Sequence, residues 1–244
     1  MQTILSNSTK SIGITDRMIF PLGRKLEKIG GELYEQYKNY KQKMMEIVTF
    51  SDKTIRDKIL LYQSFLDKID GKFNAQSQII SSHLEEFLVY LFKDIPEIEE
   101  NNYYFFGKGS IGICIDNGIL KERKNDIDIG IGFQEKLGTI NLTIINVAVD
   151  AKKNFESTML KRHKEEARSY KSFNSTLRYF LVTEACGSLM ESKGEIDNIF
   201  KIRDIGINKS DYTNPIKFEV VKALITAVQE NLKPNDASNK KNII

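Results

Sequence analysis

Asp150 and Lys152 close the run V-A-V-D-A-K at 147–152, a carboxylate and an amine two residues apart at the end of a small and β-branched stretch. Successive side chains alternate across a strand, so these two share a face about 6.6–7 Å apart while Ala151 points the other way. The segment D-I-D-I-G-I-G-F at 126–133 follows the same logic. Ile127, Ile129, Ile131 and Phe133 take one face, and Asp126, Asp128, Gly130 and Gly132 take the other. Bare glycines beside acids leave room for a metal ion, or for a phosphate approaching the backbone. Two carboxylates and a lysine at strand ends suit metal-assisted attack on a phosphate. Hard oxygens hold Mg2+, which keeps some waters, and one of these can become the nucleophile. The lysine can steer that water or stabilise charge developing on the phosphate. The competing reading is a plain ion pair between neighbouring strands, but burying one is costly and rarely adds net stability.

Other chemistries lack their residues. His83 and His163 are the only histidines, and neither sits in a metal-binding or H-E-x-x-H pattern. There is no G-x-x-x-x-G-K-[ST] phosphate loop, and the glycines of F-G-K-G-S-I-G lack the order of a dinucleotide fingerprint, which leaves them as a loop. Cys114 and Cys186 are too few for a disulfide framework; as buried free thiols they fit a reduced cytoplasm. No apolar run approaches the roughly 20 residues that span a bilayer, and the N-terminal stretch lacks the apolar run of a secretory signal. The expectation is a cytoplasmic protein with no membrane partner.

Elements must position these groups, and 244 residues suffice for one large domain or two small ones. Leu26, Ile29, Leu33, Tyr37, Tyr40, Met44 and Ile47 form one helical stripe, and Ile55, Ile59, Tyr62, Leu66 and Ile69 a second. A third and broader stripe runs from Ile79 to Phe92 and stops near Pro96. The texture then turns to strands at 103–106, 111–115, 126–133 and 142–150, with Asn117-Gly118 as a turn. A polar helix over 155–171 leads to another strand, L-R-Y-F-L-V-T-E-A. Asn214-Pro215 reads as a helix start, and the tail after 230 as frayed. The order predicts an α/β fold with a mixed sheet and a helical N-terminal extension. The divisions are 1–74 helical, 75–230 the core and 231–244 a tail. The net charge of +3 says little, but 151–182 holds eight basic residues against three acidic ones, enough to attract a polyanion.

With these residues in view, Asp128 followed by Asp150-Ala151-Lys152 resembles the PD-(D/E)XK nuclease motif. The surrounding stretch, D-A-K-K-N-F-E-S-T-M-L-K-R-H-K through to V-T-E-A, with E-I-D-N-I-F-K-I-R after it, resembles the type II restriction endonucleases of the DdeI/BbvCI-like family. K-N-D-I-D-I-G-I-G and H-L-E-E-F-L-V-Y-L-F-K-D resemble that family's upstream blocks. The likeness covers roughly 75–205. It implies a PD-(D/E)XK core in which Asp128 and Asp150 are the metal-binding acids, Lys152 is the catalytic lysine and the Ala151 carbonyl completes the metal shell. A glutamate from the helix before the sheet often joins them. Glu85 and Glu86 both flank the apolar stripe there, and Leu84 makes Glu85 the better match. Asp126 and Glu184 are possible substitutes, Glu184 more naturally as structure. The chain departs from the pattern in having Asp where relatives commonly have Glu at the second acid, and no proline before Asp128.

The resemblance implies a Mg2+-dependent, sequence-specific endonuclease of a bacterial restriction system that cuts double-stranded DNA to 5′-phosphate ends, at a short site of the CTNAG type. Lys153, Lys161, Arg162 and Lys164 are the candidate DNA-binding residues. A homodimer matches a palindromic site, while heterodimeric relatives keep a single subunit in view. The rivals are a repair or junction-resolving nuclease of the same fold and a non-enzymatic DNA-binding protein.

Overall fold

A computed structural model of the chain describes residues 21–69, 77–107, 111–116, 119–124, 127–137, 140–172, 174–186, 194–204 and 214–232. Helices α1 (Pro21–Ile29), α2 (Gly31–Glu46), α3 (Asp52–Ile69), α4 (Ser77–Phe92) and the short α5 (Pro96–Glu100) come first. Strands β1 (Tyr104–Phe106), β2 (Ile111–Asp116), β3 (Ile119–Lys124), β4 (Ile129–Leu137) and β5 (Ile140–Phe155) follow. Then come α6 (Ser157–Lys171), β6 (Arg178–Cys186), β7 (Asn198–Lys201) and α7 (Phe218–Glu230). One sheet has the order β1-β4-β5-β6-β7, and β2 and β3 form a separate hairpin. β1, β4 and β5 pair antiparallel, whereas β5, β6 and β7 pair parallel, with α6 as the crossover between β5 and β6. This is the mixed-sheet α/β architecture that the sequence predicts. Among the described residues, no helix is long and apolar enough to cross a membrane. Asp126, the Asn117-Gly118 turn, the tail from 233 and the side chains of both cysteines lie outside the described residues.

The first predicted helical stripe is two helices. Gly30 and Gly31 have φ of 68° and 70°, a left-handed backbone that L side chains disfavour, and the chain turns there. α1 and α3 pack against α4, α2 packs against α1 and α3, and α3 also packs against α7. Their buried side chains, from Leu22 and Leu26 through Tyr62 and Leu66, run without a break into the core beneath the sheet. The C-terminal helix also differs from expectation, starting at Phe218 rather than at Pro215. Residues 214–217 are instead tied to the end of β7. Lys217 N–H donates to the Ile202 carbonyl at 2.8 Å, and Arg203 Nη1 to the Asn214 carbonyl at 2.7 Å.

Gly130 and Gly132 do not line a cleft, which corrects the sequence reading. A Cβ on Gly132 would lie 2.0 Å from the Ile144 carbonyl oxygen, and one on Gly130 would lie 3.2 Å from the Ile145 side chain. The β4–β5 register shifts between Ile131 and Gly132, so the glycines serve a β-bulge and close strand packing.

Glu86 anchors the N-terminal helices to α4. Fully buried, it accepts hydrogen bonds from the hydroxyls of Tyr37 at 2.7 Å and Tyr90 at 2.9 Å. Burial, only partly offset by these tyrosine hydrogen bonds, raises its carboxyl from 4.5 to about 7. The folded state therefore holds this proton more tightly than the unfolded chain. Glu86's share of stability is full below about 4.5 and is lost as pH rises through about 7, an effect of about 3 kcal/mol. Glu86→Gln keeps the acceptor and removes the titration. Denaturant unfolding at pH 5 and pH 8 should show a smaller loss in the variant than in the parent protein. Parallel losses would contradict the assignment.

Candidate active site

β5 outruns its antiparallel partner, because its last paired residue on that side, Val149, faces Ile129 at the start of β4. Beyond this point the β4-side edge of β5 has no strand partner among the described residues, and Asp128 turns into the gap. Asp128 Oδ2 accepts the Ala151 backbone N–H at 2.9 Å and the Lys152 ammonium at 2.7 Å. The Asp128 backbone N–H donates to Asp150 Oδ1 at 3.2 Å. Asp128, Asp150 and Lys152, expected together from their spacing, therefore do meet. The Asp128 and Asp150 side chains are 0% and 4% exposed, while the Lys152 side chain is 25% exposed and opens the group toward solvent.

Asp150 has further partners that the sequence reading missed. His163 Nδ1, from the second turn of α6, lies 2.9 Å from Asp150 Oδ2 and 3.0 Å from Glu166 Oε2. The Tyr179 hydroxyl, from β6, also donates to Asp150 Oδ2. Burial alone pushes the Asp150 carboxyl up. The His163 hydrogen bond, the Lys152 charge and the Tyr179 hydroxyl outweigh it and hold the group well below the usual carboxylate range. The Tyr179 phenol moves up, first through burial and then through the Asp150 charge beside it. The available signal was H-x-x-E at 163–166, which puts both side chains on one helix face immediately after the lysine strand.

The donor set fits a hard divalent cation. The Asp150 carboxylate meets the Asp128 backbone N–H, which brings the two buried acids side by side. Within a strand the N–H and C=O of one residue point to the same edge. The Ala151 N–H reaches Asp128, so the Ala151 carbonyl lies on that edge too. On α4, Glu86 is committed to its two tyrosines, leaving Glu85, also buried, as that helix's candidate carboxylate. His163, Asp150 and Glu166 offer three ligand atoms within 4.8 Å of one another.

Glu184 belongs to a different cluster. Lys152 pairs in register with Thr183, which puts Glu184 on the opposite face of the sheet. There it is fully buried, 3.4 Å from Arg203 Nε and 4.0 Å from His83 Nε2. Burial raises Glu184 to about 7, although Arg203 and Lys153 pull it down. Burial lowers His83 to about 3, helped by the charges of Lys153 and Arg203. Lys153 thus acts on this buried cluster rather than beside Asp150. On α6, Arg162 pairs with Glu166 at 2.7 Å, and Arg168 pairs with Glu195. Lys161 and Lys164 instead line an open depression of about 370 Å³ with Ser157, Leu160, Glu165 and Arg168.

No family model and no curated protein matches the chain. Among solved structures it is similar to one described as the native BbvCI A2B2 tetramer at low resolution. The identity is 18% over 89% of this chain and 97% of that chain, with a TM-score of 0.44.

Proposed function

We propose that the chain is a Mg2+-dependent, sequence-specific endonuclease that hydrolyses double-stranded DNA in the manner of type II restriction enzymes. The observation that carries this reading is the meeting of Lys152, Asp128 and Asp150 at the edge of β5 beyond its pairing with β4, with the lysine more exposed than the two acids. Asp128, Asp150, the Ala151 carbonyl and Glu85 would hold Mg2+. When bound, the ion polarises the scissile phosphate and makes water a better nucleophile. Asp128, itself held by the Ala151 N–H, fixes the Lys152 ammonium, which orients the attacking water and counters charge growing on the phosphate. Water adds to phosphorus in line as the P–O3′ bond breaks, and the departing 3′ oxygen takes up a proton. The products are a 5′-phosphate and a 3′-hydroxyl.

Lys161 and Lys164 are proposed to follow the phosphate backbone, with Arg162 at the rim beside Glu166. Replacing both lysines by alanine should flatten the slope of log affinity against log salt by about two, with little change in site preference. An unchanged slope in a duplex titration would return them to a solvated helix face.

The test of the reading is digestion of plasmid duplex. Cleavage in Mg2+ that stops in EDTA is expected. Duplex binding without cleavage would favour a non-enzymatic DNA-binding protein.

A further inference from the structure

Resting on the nuclease reading above, we propose that His163 is a positioning residue for Asp150. With Glu166 and Tyr179 it holds the Asp150 carboxylate turned toward Asp128, so that the pair receives a divalent cation already oriented. The two oxygens of Asp150 have separate tasks. Oδ1 faces the Asp128 backbone N–H at 3.2 Å, and Oδ2 is held by Tyr179 and by His163 at 2.9 Å. Rotation of the carboxylate would break the contacts at Oδ2, so the direction of Oδ1 is fixed by groups that lie behind it.

His163 Nδ1 has carboxylate oxygens on two sides, Asp150 Oδ2 and Glu166 Oε2 at 3.0 Å. Both are acceptors only, so this nitrogen carries the proton; it donates to Asp150 Oδ2, with Glu166 Oε2 at ion-pair distance beside it. The imidazole is buried and packs against the Phe155 ring, 5.6 Å between centroids, which limits its tilt. Glu166 is in turn held from outside by Arg162 at 2.7 Å. The chain Arg162–Glu166–His163–Asp150 therefore runs from the surface of α6 to the candidate metal cradle, through contacts of 3.0 Å or less. Removing the N–H would leave two carboxylates within 4.8 Å of each other with nothing between them. Asp150 would then be free to swing, and the cradle would lose its shape. Supporting groups of this kind govern metal affinity in known sites by about 10–100-fold.

The experiment measures Mn2+ binding to the full chain by calorimetry without DNA, alongside a thermal melt and the Mg2+ dependence of plasmid cleavage. His163→Phe keeps a ring and removes the donor. His163→Asn keeps an N–H donor near the position of Nδ1. Tyr179→Phe removes a single oxygen. His163→Phe should weaken Mn2+ binding by about 10–100-fold and raise the Mg2+ needed for half-maximal cleavage in step, with rate recovering at high Mg2+. Tyr179→Phe should shift both the same way, and His163→Asn should remain near the parent protein. If His163→Phe does not fold, Tyr179→Phe decides the matter, since it leaves packing intact. Parent-like Mn2+ affinity in His163→Phe or Tyr179→Phe overturns the proposal. So does loss in His163→Asn equal to that in His163→Phe, which would make the imidazole a metal ligand. A parent protein that neither binds Mn2+ nor cuts DNA brings down the nuclease reading itself, whereas binding and cutting with unaffected variants brings down only the role of His163.

Discussion

Asp150→Asn and Lys152→Ala are each expected to abolish duplex cleavage while leaving the fold intact. Asparagine retains an oxygen to accept the Asp128 N–H, and its amide can face a His163 that has changed tautomer. The shape survives, but one negative charge leaves the cradle. Lys152→Ala leaves Asp128 Oδ2 still bonded to the Ala151 N–H, so the loop before β4 stays anchored. In each case several kcal/mol of transition-state stabilisation disappear, about a thousandfold or more in rate. Plasmid cleavage beside a thermal melt checks both. Near-normal cutting by either folded variant would end the assignment. Were the pair only structural, a lowered melting temperature would appear with cutting retained. Duplex binding by Lys152→Ala should persist in Ca2+, which occupies oxygen sites without supporting turnover.

The second large effect concerns assembly. Each chain carries one constellation of Asp128, Asp150 and Lys152, whereas a double-strand break needs two antiparallel strands cut. A two-fold homodimer matches the symmetry of a palindromic site. The purified chain alone should therefore convert supercoiled plasmid to the linear form, with open circles only as a transient. Accumulation of open circles by excess protein, with no linear product, would identify the chain as one subunit of a heterodimer that cuts a single strand. α1–α3 offer less free apolar surface for such a dimer than their stripes imply, since Leu26, Tyr37, Met44 and Leu66 are consumed by packing within the chain. Ile29, Val48 and Leu60 remain as exposed apolar side chains in this region.

Periodicity made most of the fold legible. The small and β-branched run at 142–150 located β5, which extends over Ile140–Phe155. The order of strands and helices gave a mixed sheet, because a helix between two strands demands a parallel crossover. The candidate site was legible to the same depth. Asp150 and Lys152 are two apart on one strand, and Asp128 lies at the head of the strand antiparallel to it, so local rules suffice to bring them together. His163 and Tyr179 were not legible, because they reach Asp150 only through the packing of α6 and β6 on β5, which no local pattern records. The bulge at Gly132 was missed for a related reason. A glycine beside an acid looks the same in sequence whether its missing side chain admits a ligand or the carbonyl of the next strand. The Gly30-Gly31 break was masked by an apolar spacing that continues across it. Glu86 and Glu85 are adjacent on a helix with apolar residues all round, so only the tyrosines that hold Glu86 separate their roles.

Mapping the ends of plasmid fragments at single-nucleotide resolution tests the central claim most directly. Digestion of a plasmid of known sequence in Mg2+ by the purified chain should give breaks that recur at one short sequence, each with a 5′-phosphate that ligase accepts and a 3′-hydroxyl that polymerase extends. Ends scattered without a common sequence, breaks confined to junctions or damaged sites, or no breaks at all beside an intact thermal melt would contradict it.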